Sequence, residues 1–517
     1  MFRQIANIGG LTLISRIVGF VRDVATAAIL GAGPVADAFF VAFRLPNHFR
    51  SLFAEGAFNA AFVPVFSGVL VRKGQTEAKS FAEMLFTLMV AVQLGLLLLF
   101  WVIMPWFMLV FAPGFAAEPA KFDLAIAFTR ITFPYLLCIT LVSLIGGVLN
   151  SMQRFTAAAA APILMNVVLL AALFGLTPFL PNAGYALAVG VLLSGVAQLA
   201  YLYWDSRRAG MDLHFRRPRA TPEVNRFLRV LGPAALGRGL TQISLFVDTL
   251  IASLLPTGAV SYLYYADRLN QLPLGVIGIA VGTALLPQLS RQLKAGQFEA
   301  AAASQNRAIE ISLVLTLPAV AAFIAISFPL MDMLFRRGAF SVADAAATAS
   351  VLQAYGMGLP AFVLVPAMVS GFYAREDSKT PLYVSLVAVA FNVGLKFALM
   401  GPFGPVGIAA STTVSSWINV IFLGIVLHRR GHLVPDPAFK SRLPKAVVAA
   451  GLLTIVLLGA NHWLLVDAAG GDRLREVMIL AGIVAGSAVL YAALALALGL
   501  VSTRELRLAI GARNRNA

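Results

Sequence analysis

Apolar segments of about twenty residues follow one another along the whole 517-residue chain, separated by short polar or basic connections. A helix of that length crosses roughly 30 Å of hydrocarbon and satisfies its own backbone hydrogen bonds inside a bilayer. The composition agrees, since 60% of the residues are hydrophobic and only 12% are charged. The short alternating segments of a membrane β-barrel are not visible. The sequence therefore predicts an all-α polytopic membrane protein.

Turn residues and charges divide the apolar sequence into about fourteen predicted transmembrane helices. The second of them is too long for one straight span and contains Pro46 and Pro64, which predicts a bend or a break. The first contains Arg16 and Arg22, which the apolar core of a cleavable signal peptide does not tolerate. The predicted helices span residues 5–31, 34–71, 81–111, 123–150, 156–176, 184–205, 225–255, 259–290, 305–335, 344–373, 381–400, 405–428, 443–466 and 474–500.

The distribution of basic residues predicts the orientation of these helices. Of the 39 lysines and arginines, 26 lie at the two ends of the chain and in one alternating set of connections, whereas five lie in the opposite set. Those five are Lys121, Arg336, Arg337, Arg473 and Arg475. Because cytoplasmic loops carry the excess of positive charge, we expect both termini to be cytoplasmic.

Four sequence markers recur with nearly the same offset, between 219 and 224 residues. A shared offset of this kind indicates two six-helix halves in the same membrane orientation. We therefore expect an N-terminal lobe at 1–220, a C-terminal lobe at 221–435, and two additional helices with a cytoplasmic tail at 436–517. The paired markers are Arg44 with Arg268, Pro162 with Pro381, Gly184 with Gly407, and Arg208 with Arg430.

Charged residues inside the predicted spans are the candidate functional residues, because a charge at membrane depth costs about 2.5–3.5 kcal/mol unless it faces protein or water. Arg16 lies near mid-depth of the first helix, and Asp23 follows on the same helical stripe, so an internal ion pair is one alternative. Asp37 lies in a first helical turn, where a carboxylate also complements the helix dipole. Lys396 lies near a helix end, and we expect its ammonium group to reach the membrane surface.

Arginines from the first segments of both halves are expected to converge on one central cavity. Their forked guanidinium groups are suited to phosphate oxygens, so the cavity is expected to bind an anionic guest. Asp248 has no neighbouring partner in its apolar segment, and two alternatives stay open: it binds a coupling cation, or it pairs with an arginine across the cavity. The sequence contains no GxxxxGK[ST], HExxH or GxSxG motif, which favours a transporter without a cofactor over an enzyme.

Several segments together resemble the MurJ (MviN) lipid II flippases of the multidrug/oligosaccharidyl-lipid/polysaccharide exporter superfamily. They are SRIVGFVRD (15–23), GAGPVADAFFVAFRLPN (31–47), FAEGAFNAAFVPVF (53–66), APGF (112–115), YYADRLNQLPLGV (264–276), LLPQLS (285–290) and GFYAREDSKTP (371–381). The resemblance implies two six-helix lobes around a cationic cavity, and a groove at the last two helices for a polyprenyl tail. It also implies alternating-access transport of lipid II to the periplasmic face of the bacterial inner membrane.

The resemblance also implies which residues meet the substrate. Together with Arg44 from the repeat, the substrate-binding set is Arg16, Arg22, Asp23, Asp37, Arg44, Arg50, Glu55 and Arg268. Gln271 stands where relatives can carry an acid, and Arg238 is an additional cation without an assigned role. A coupling cation, sodium or a proton, is a hypothesis for Asp248 and Asp377.

Three other functions remain as alternatives. A flippase for another polyprenyl-linked saccharide would share this composition. A drug/cation antiporter on the same fold would need an acidic cavity rather than arginines. A non-transporting scaffold for cell-wall assembly would not require costly arginines in the middle of the membrane.

Overall fold

The computed structural model describes residues 2–50, 57–465 and 473–500, and within these ranges the chain forms helices and no strand. The prediction of an all-α fold is confirmed. Short 3-10 helices cover Pro113–Ala117 and Thr177–Phe179, and a π-helical turn covers Asn461–Leu465. The α-helices are Phe2–Leu30 (α1), Pro34–Arg50 (α2), Ala57–Phe111 (α3), Pro119–Thr132 (α4), Tyr135–Ser151 (α5), Thr156–Leu176 (α6), Ala183–Arg208 (α7), Pro222–Ser253 (α8), Ala259–Lys294 (α9), Phe298–Ala325 (α10), Ser327–Phe335 (α11), Val342–Tyr373 (α12), Lys379–Arg429 (α13), Pro437–Ala460 (α14) and Arg473–Ala497 (α15).

Each predicted span coincides with one of these helices or with an adjoining pair. The two longest helices are each interrupted by a glycine with positive φ, Gly74 in α3 (φ 82°) and Gly404 in α13 (φ 55°). A glycine adopts this conformation without steric cost, so the chain changes direction there between two apolar stretches. The break at Gly404 separates the predicted spans 381–400 and 405–428. The predicted span 34–71 is shared between α2 and α3.

Nine helices of the described chain are long and apolar enough to cross a membrane. Helices α1 and α9, which carry Arg16, Arg22 and Arg268, are not among these nine. The polytopic membrane fold is therefore confirmed.

The chain divides into two compact units. Unit 1 comprises Met1–Ser261 with the short segment Arg337–Phe340, and unit 2 comprises Tyr262–Arg336 and Ser341–Ala517. In unit 1, helix α8 packs against α3. In unit 2, apolar residues of α14 and α15 form one core with α10 and α11. The predicted lobes at 1–220 and 221–435 remain a prediction.

The backbone repeats an unusual loop in both halves. Gln153 (φ 63°) and Glu376 (φ 62°) are the non-glycine residues with positive φ in the described chain, and they lie 223 residues apart. In the first loop the amide of Arg154 donates to the carbonyl of Leu149 at 2.9 Å, and in the second the amide of Asp377 donates to that of Phe372 at 3.1 Å. The same turn at the same offset supports the internal repeat that the sequence markers predict.

Candidate functional site

A buried network joins α1 to α6 around Arg22. The guanidinium donates to Oδ1 of Asp23 through Nε (3.1 Å) and Nη2 (2.6 Å), and to Oδ1 of Asn166 through Nη1 (2.8 Å). Arg22 is 9% exposed and Asp23 is 4% exposed, so the carboxylate neutralises the arginine away from bulk water. The structure therefore joins Arg22 and Asp23, two of the predicted site residues, directly.

Arg16 lies on the same helix but in a different environment. Its side chain is partly exposed, and within the described residues it makes no hydrogen bond or ion pair. Asp23 pairs with Arg22, which is adjacent in sequence, rather than with Arg16 seven residues earlier. Of the alternatives that the sequence left open, the internal Arg16–Asp23 pair is the one that the structure does not show.

Asp37 is fully buried and holds the first turn of α9. Its Oδ1 accepts hydrogen bonds from the amide (2.9 Å) and hydroxyl (2.6 Å) of Ser261, and its Oδ2 accepts from the amide of Gly258 (2.7 Å). The ammonium of Lys121 lies 3.3 Å from the same Oδ2 and donates to the hydroxyl of Thr257 at 2.9 Å. The carboxylate thus satisfies amides that a helix start leaves without intrahelical partners.

The other predicted residues of the substrate set that the structure describes belong to α2 in unit 1 and to α9, whose Arg268 lies in unit 2. Arg44 in α2 donates to the hydroxyl of Thr249 at 3.4 Å, next to the partly buried Asp248 on α8. Arg268 belongs to unit 2, where its guanidinium lies 4.6 Å from the ring centroid of Tyr264. Arg50 is the last residue of α2, and Glu55 lies outside the described residues. The side chain of Arg238 also belongs to the part that is not described.

Asp377 lies in the loop between α12 and α13, where it is fully engaged by protein groups. It accepts from the amide (2.9 Å) and hydroxyl (2.6 Å) of Thr380 and forms an ion pair with Arg430 at 2.6 Å. These bonds hold the pKa of the Asp377 carboxyl far below its usual range. Burial, with the positive charges of Arg375 and Arg430 nearby, lowers the pKa of His432.

Within the described residues, no three His, Cys, Asp or Glu side chains lie close enough together to hold a metal ion. A coupling cation at Asp248 and Asp377 remains a hypothesis.

Burial of two lysines was not predicted from the sequence, and for Lys396 it contradicts the prediction. The sequence predicts that Lys396 extends to the membrane surface, yet it is completely buried. Helix α13 continues beyond it to the break at Gly404, so this residue does not lie at a free helix end. Lys121, which the sequence assigns to an external connection, is 2% exposed and pairs with Asp37. The distance of a residue from a helix end therefore does not determine whether its side chain is buried against other helices or exposed.

Sequence reasoning missed the residues that hold the predicted ones in place. Asn166 and Thr249 are polar residues in largely apolar helices, and Ser261 lies in the first turn of α9. A buried amide without a partner is costly, so an isolated asparagine among apolar residues is the signal that could have identified Asn166. For Ser261 the sequence carries no comparable signal, because its partner Asp37 is 224 residues away.

The all-α fold, with nine long apolar helices within the described residues, defines the class, a polytopic α-helical membrane protein. The family model described as "Lipid II flippase MurJ" matches residues 26–469. The chain is 44% identical to the "Probable lipid II flippase MurJ" of Rhizobium meliloti (strain 1021), over 98% of this chain and 96% of the relative. The chain therefore belongs to the MurJ family of lipid II flippases.

Solved structures show the same fold. A structure titled "Lipid II flippase MurJ, inward closed conformation" matches with a TM-score of 0.77 and 23% identity, covering 94% of this chain and 97% of its own. An inward-facing multidrug resistance MATE family transporter of the MOP superfamily matches with a TM-score of 0.67 and 16% identity, covering 80% of this chain and 94% of its own. At these identities the likeness concerns the fold, which flippases and drug exporters share.

Proposed function

We propose that this protein moves lipid II from the cytoplasmic to the periplasmic face of the bacterial inner membrane. The observation that carries the proposal is the 44% identity to a probable lipid II flippase over nearly the whole of both chains. The protein breaks and forms no bond in this process, so its activity is transport rather than enzymatic catalysis. Alternating access between an inward-open and an outward-open state would move the polar headgroup while the polyprenyl tail stays in lipid.

The proposed substrate contacts centre on the arginines. Arg16, Arg22, Arg50 and Arg268 bind the pyrophosphate, with Arg44 and the acidic residues Asp23, Asp37 and Glu55 completing the set. The partly exposed side chain of Arg16 supports this role, because it makes no protein hydrogen bond within the described residues and a phosphate oxygen would provide one. A ligand shifts a conformational equilibrium only by binding its states unequally, so these contacts must differ between inward and outward states.

Reconstitution tests the substrate directly. Purified protein in proteoliposomes should increase the amount of lipid II on the outer face, and an excess of lipid II should compete better than other polyprenyl-linked saccharides. Arg16→Ala and Arg268→Ala should each remove a charge-assisted contact of about 1.5–3 kcal/mol and strongly reduce flipping. Lysine at either position keeps the charge but loses the planar fork, so it should restore activity only in part. Undiminished flipping by both alanine variants at equal protein levels would refute the proposed contacts.

Energy coupling is a separate part of the proposal. Asp248, partly buried on α8, is the proposed site of a coupling cation, sodium or a proton. Asp248→Asn should then weaken ion-dependent flipping while leaving lipid II binding intact. An identical ion dependence in the wild type and the variant would assign Asp248 a structural role instead.

A further inference from the structure

Asn166 lies in the apolar helix α6 with its amide turned towards α1. Only 7% of the residue is exposed, and burying an amide without hydrogen bonds is unfavourable. Its Oδ1 accepts from Nη1 of Arg22 at 2.8 Å, while its Nδ2 donates to the backbone carbonyl of Ser15 at 3.1 Å. One side chain therefore ties the guanidinium of Arg22 to the backbone of the same helix seven residues earlier.

Gly19 provides the space for this arrangement. A Cβ at this position would lie 3.2 Å from Nδ2 of Asn166, which is tighter than an ordinary van der Waals contact. Gly19 is four residues after Ser15 and three before Arg22, so it lies between the two groups that Asn166 binds. The glycine lets the amide approach α1 closely enough to form both hydrogen bonds.

We infer that Asn166 is a positioning residue that sets the direction of the Arg22 guanidinium. Asp23 binds Nε and Nη2, and Asn166 binds Nη1, so contacts on two sides fix the plane of the group. An arginine side chain loses considerable rotamer freedom when it binds a ligand, and restraining it beforehand lowers that cost. The inference deepens the proposed function, since it rests on Arg22 binding the lipid-linked pyrophosphate.

A purely structural role predicts something different. Buried asparagines also hold membrane helices together, and α1 does pack against α6. Loss of such a contact would weaken folding without a selective effect on Arg22. Asn166→Leu is the informative variant because leucine is similar in shape and suits an apolar helix but forms neither hydrogen bond. Asn166→Asp is its counterpart, since a carboxylate keeps an acceptor for Arg22.

Arginine modification tests the restraint without any transport assay. Purified protein is treated with phenylglyoxal, and the modification of Arg22 and Arg16 is followed by peptide mass spectrometry. We expect Asn166→Leu to speed the modification of Arg22 several-fold and to leave that of Arg16 unchanged, whereas Asn166→Asp keeps Arg22 protected. Equal protection of Arg22 in the wild type and in Asn166→Leu would overturn the inference.

Flipping kinetics test the consequence for the substrate. In proteoliposomes, Asn166→Leu should raise the half-saturating lipid II concentration about tenfold, the factor for one charge-assisted hydrogen bond, and change the maximal rate less. In an Arg22→Lys background the same substitution should have little further effect, because it acts through Arg22. Additive effects, or a loss of maximal rate and melting temperature with unchanged half-saturation, would assign Asn166 to helix packing.

Glycine variants on one helix give a matched control. Gly19→Ala places its Cβ against the Asn166 amide, whereas the Cβ of Gly10→Ala meets no atom within 4 Å. We expect Gly19→Ala to deprotect Arg22 and Gly10→Ala to behave as the wild type. Selective deprotection of Arg22 in a protein that does not flip lipid II would refute the proposed function and keep the positioning role. Normal flipping with an unaltered Arg22 in Asn166→Leu and Gly19→Ala would refute the positioning role and keep the function.

Discussion

At the scale of single residues, the burial of Asp37 and Lys121 has a consequence for stability. Breaking a buried ion pair by removing one partner typically costs about 3–5 kcal/mol, because the other charge remains buried. Asp37→Ala should lower the melting temperature strongly, since it leaves Lys121 without its buried counter-ion and removes three hydrogen bonds from the start of α9. Lys121→Met should be milder, because Asp37 keeps those three donors.

The double variant separates the contribution of the Asp37–Lys121 ion pair to stability from the contribution of the hydrogen bonds around it. If the ion pair accounts for most of the stability lost in Asp37→Ala, the double variant with Lys121→Met should be no less stable than Asp37→Ala alone. The stability losses of the two single variants would then not add. Melting temperatures of the four proteins in the same detergent give this comparison. Strictly additive losses would show that the 3.3 Å contact contributes little and that Asp37 acts mainly through α9.

A second prediction at this scale concerns pH and Asp377. Its pKa is lowered in the folded protein by Thr380 and Arg430, so the charged carboxylate stabilises the fold at pH values above the unfolded-state pKa of about 3.9. That contribution is lost as the pH falls through the lower, folded-state pKa. Asp377→Asn should therefore melt below the wild type at about pH 7, and the difference should shrink at about pH 3.

The matched control for this pH series is Asp123→Asn, which alters an exposed carboxylate on α4. Its melting temperature should follow that of the wild type throughout the series. If the difference in melting temperature between the wild type and Asp377→Asn stays constant down to the lowest pH, the stabilisation does not come from the charge of Asp377.

At the scale of helices and loops, each unit contains an ion pair that joins a loop to the end of a later helix. In unit 1 the loop after α5 is joined to the end of α7 by Arg154 and Asp205 at 2.5 Å. In unit 2 the equivalent loop after α12 is joined to the end of α13 by Asp377 and Arg430 at 2.6 Å. In the sequence repeat Arg430 corresponds to Arg208 rather than to Asp205, so the two ion pairs join a loop to a helix end through different positions.

The short 3-10 helix Pro113–Ala117 gives a prediction about packing between elements. A Cβ at Gly114 would overlap the carbonyl of Ser253 and lie 2.6 Å from Cα of Leu254 at the end of α8. Backbone atoms cannot move aside as a flexible side chain does, so Gly114→Ala should destabilise the protein by about 1–3 kcal/mol or more. The melting temperature, with the fraction of monodisperse protein after extraction, measures the effect.

Gly95→Ala is the control for this substitution. Gly95 is exposed on α3, and its Cβ would meet no atom within 4 Å. Alanine is favoured over glycine inside a helix by roughly 0.5–1 kcal/mol, so this variant should melt at or slightly above the wild type. If Gly114→Ala melts like Gly95→Ala, the close approach of the 3-10 helix to α8 is wrong.

How much the sequence predicts differs between helices and contacts. Hydrophobic runs predict most of the long helices, because crossing a membrane requires a long apolar helix and this requirement is local. The partners of Arg22 and Asp37 depend on which faces of distant segments meet, and neither Asn166 nor Lys121 is near its partner in the sequence. Sequence reasoning therefore identified the charged residues and could not assign most of their contacts.

At the scale of the whole molecule, the remaining expectation is its orientation in the membrane. The connection around Arg217 is strongly basic and belongs to the set with 26 of the 39 positive charges, whereas the connection at Ala117 belongs to the set with five. The positive-inside rule therefore predicts a cytoplasmic position for residue 217 and a periplasmic position for residue 117. Both residues are exposed, so a thiol placed at either site is accessible to a reagent on its own side of the membrane.

Labelling of single cysteines tests this orientation. The buried native thiol is first removed by Cys138→Ala, and Ala117→Cys or Arg217→Cys is then introduced separately. Arg217 is preferred to its neighbour Arg216, whose guanidinium lies 3.5 Å from Glu83 and whose amide donates to Thr87. A membrane-impermeant maleimide applied to intact spheroplasts should label position 117, and position 217 only after permeabilisation. Labelling of position 217 in intact spheroplasts would invert the orientation, and with it the proposed direction of lipid II transport.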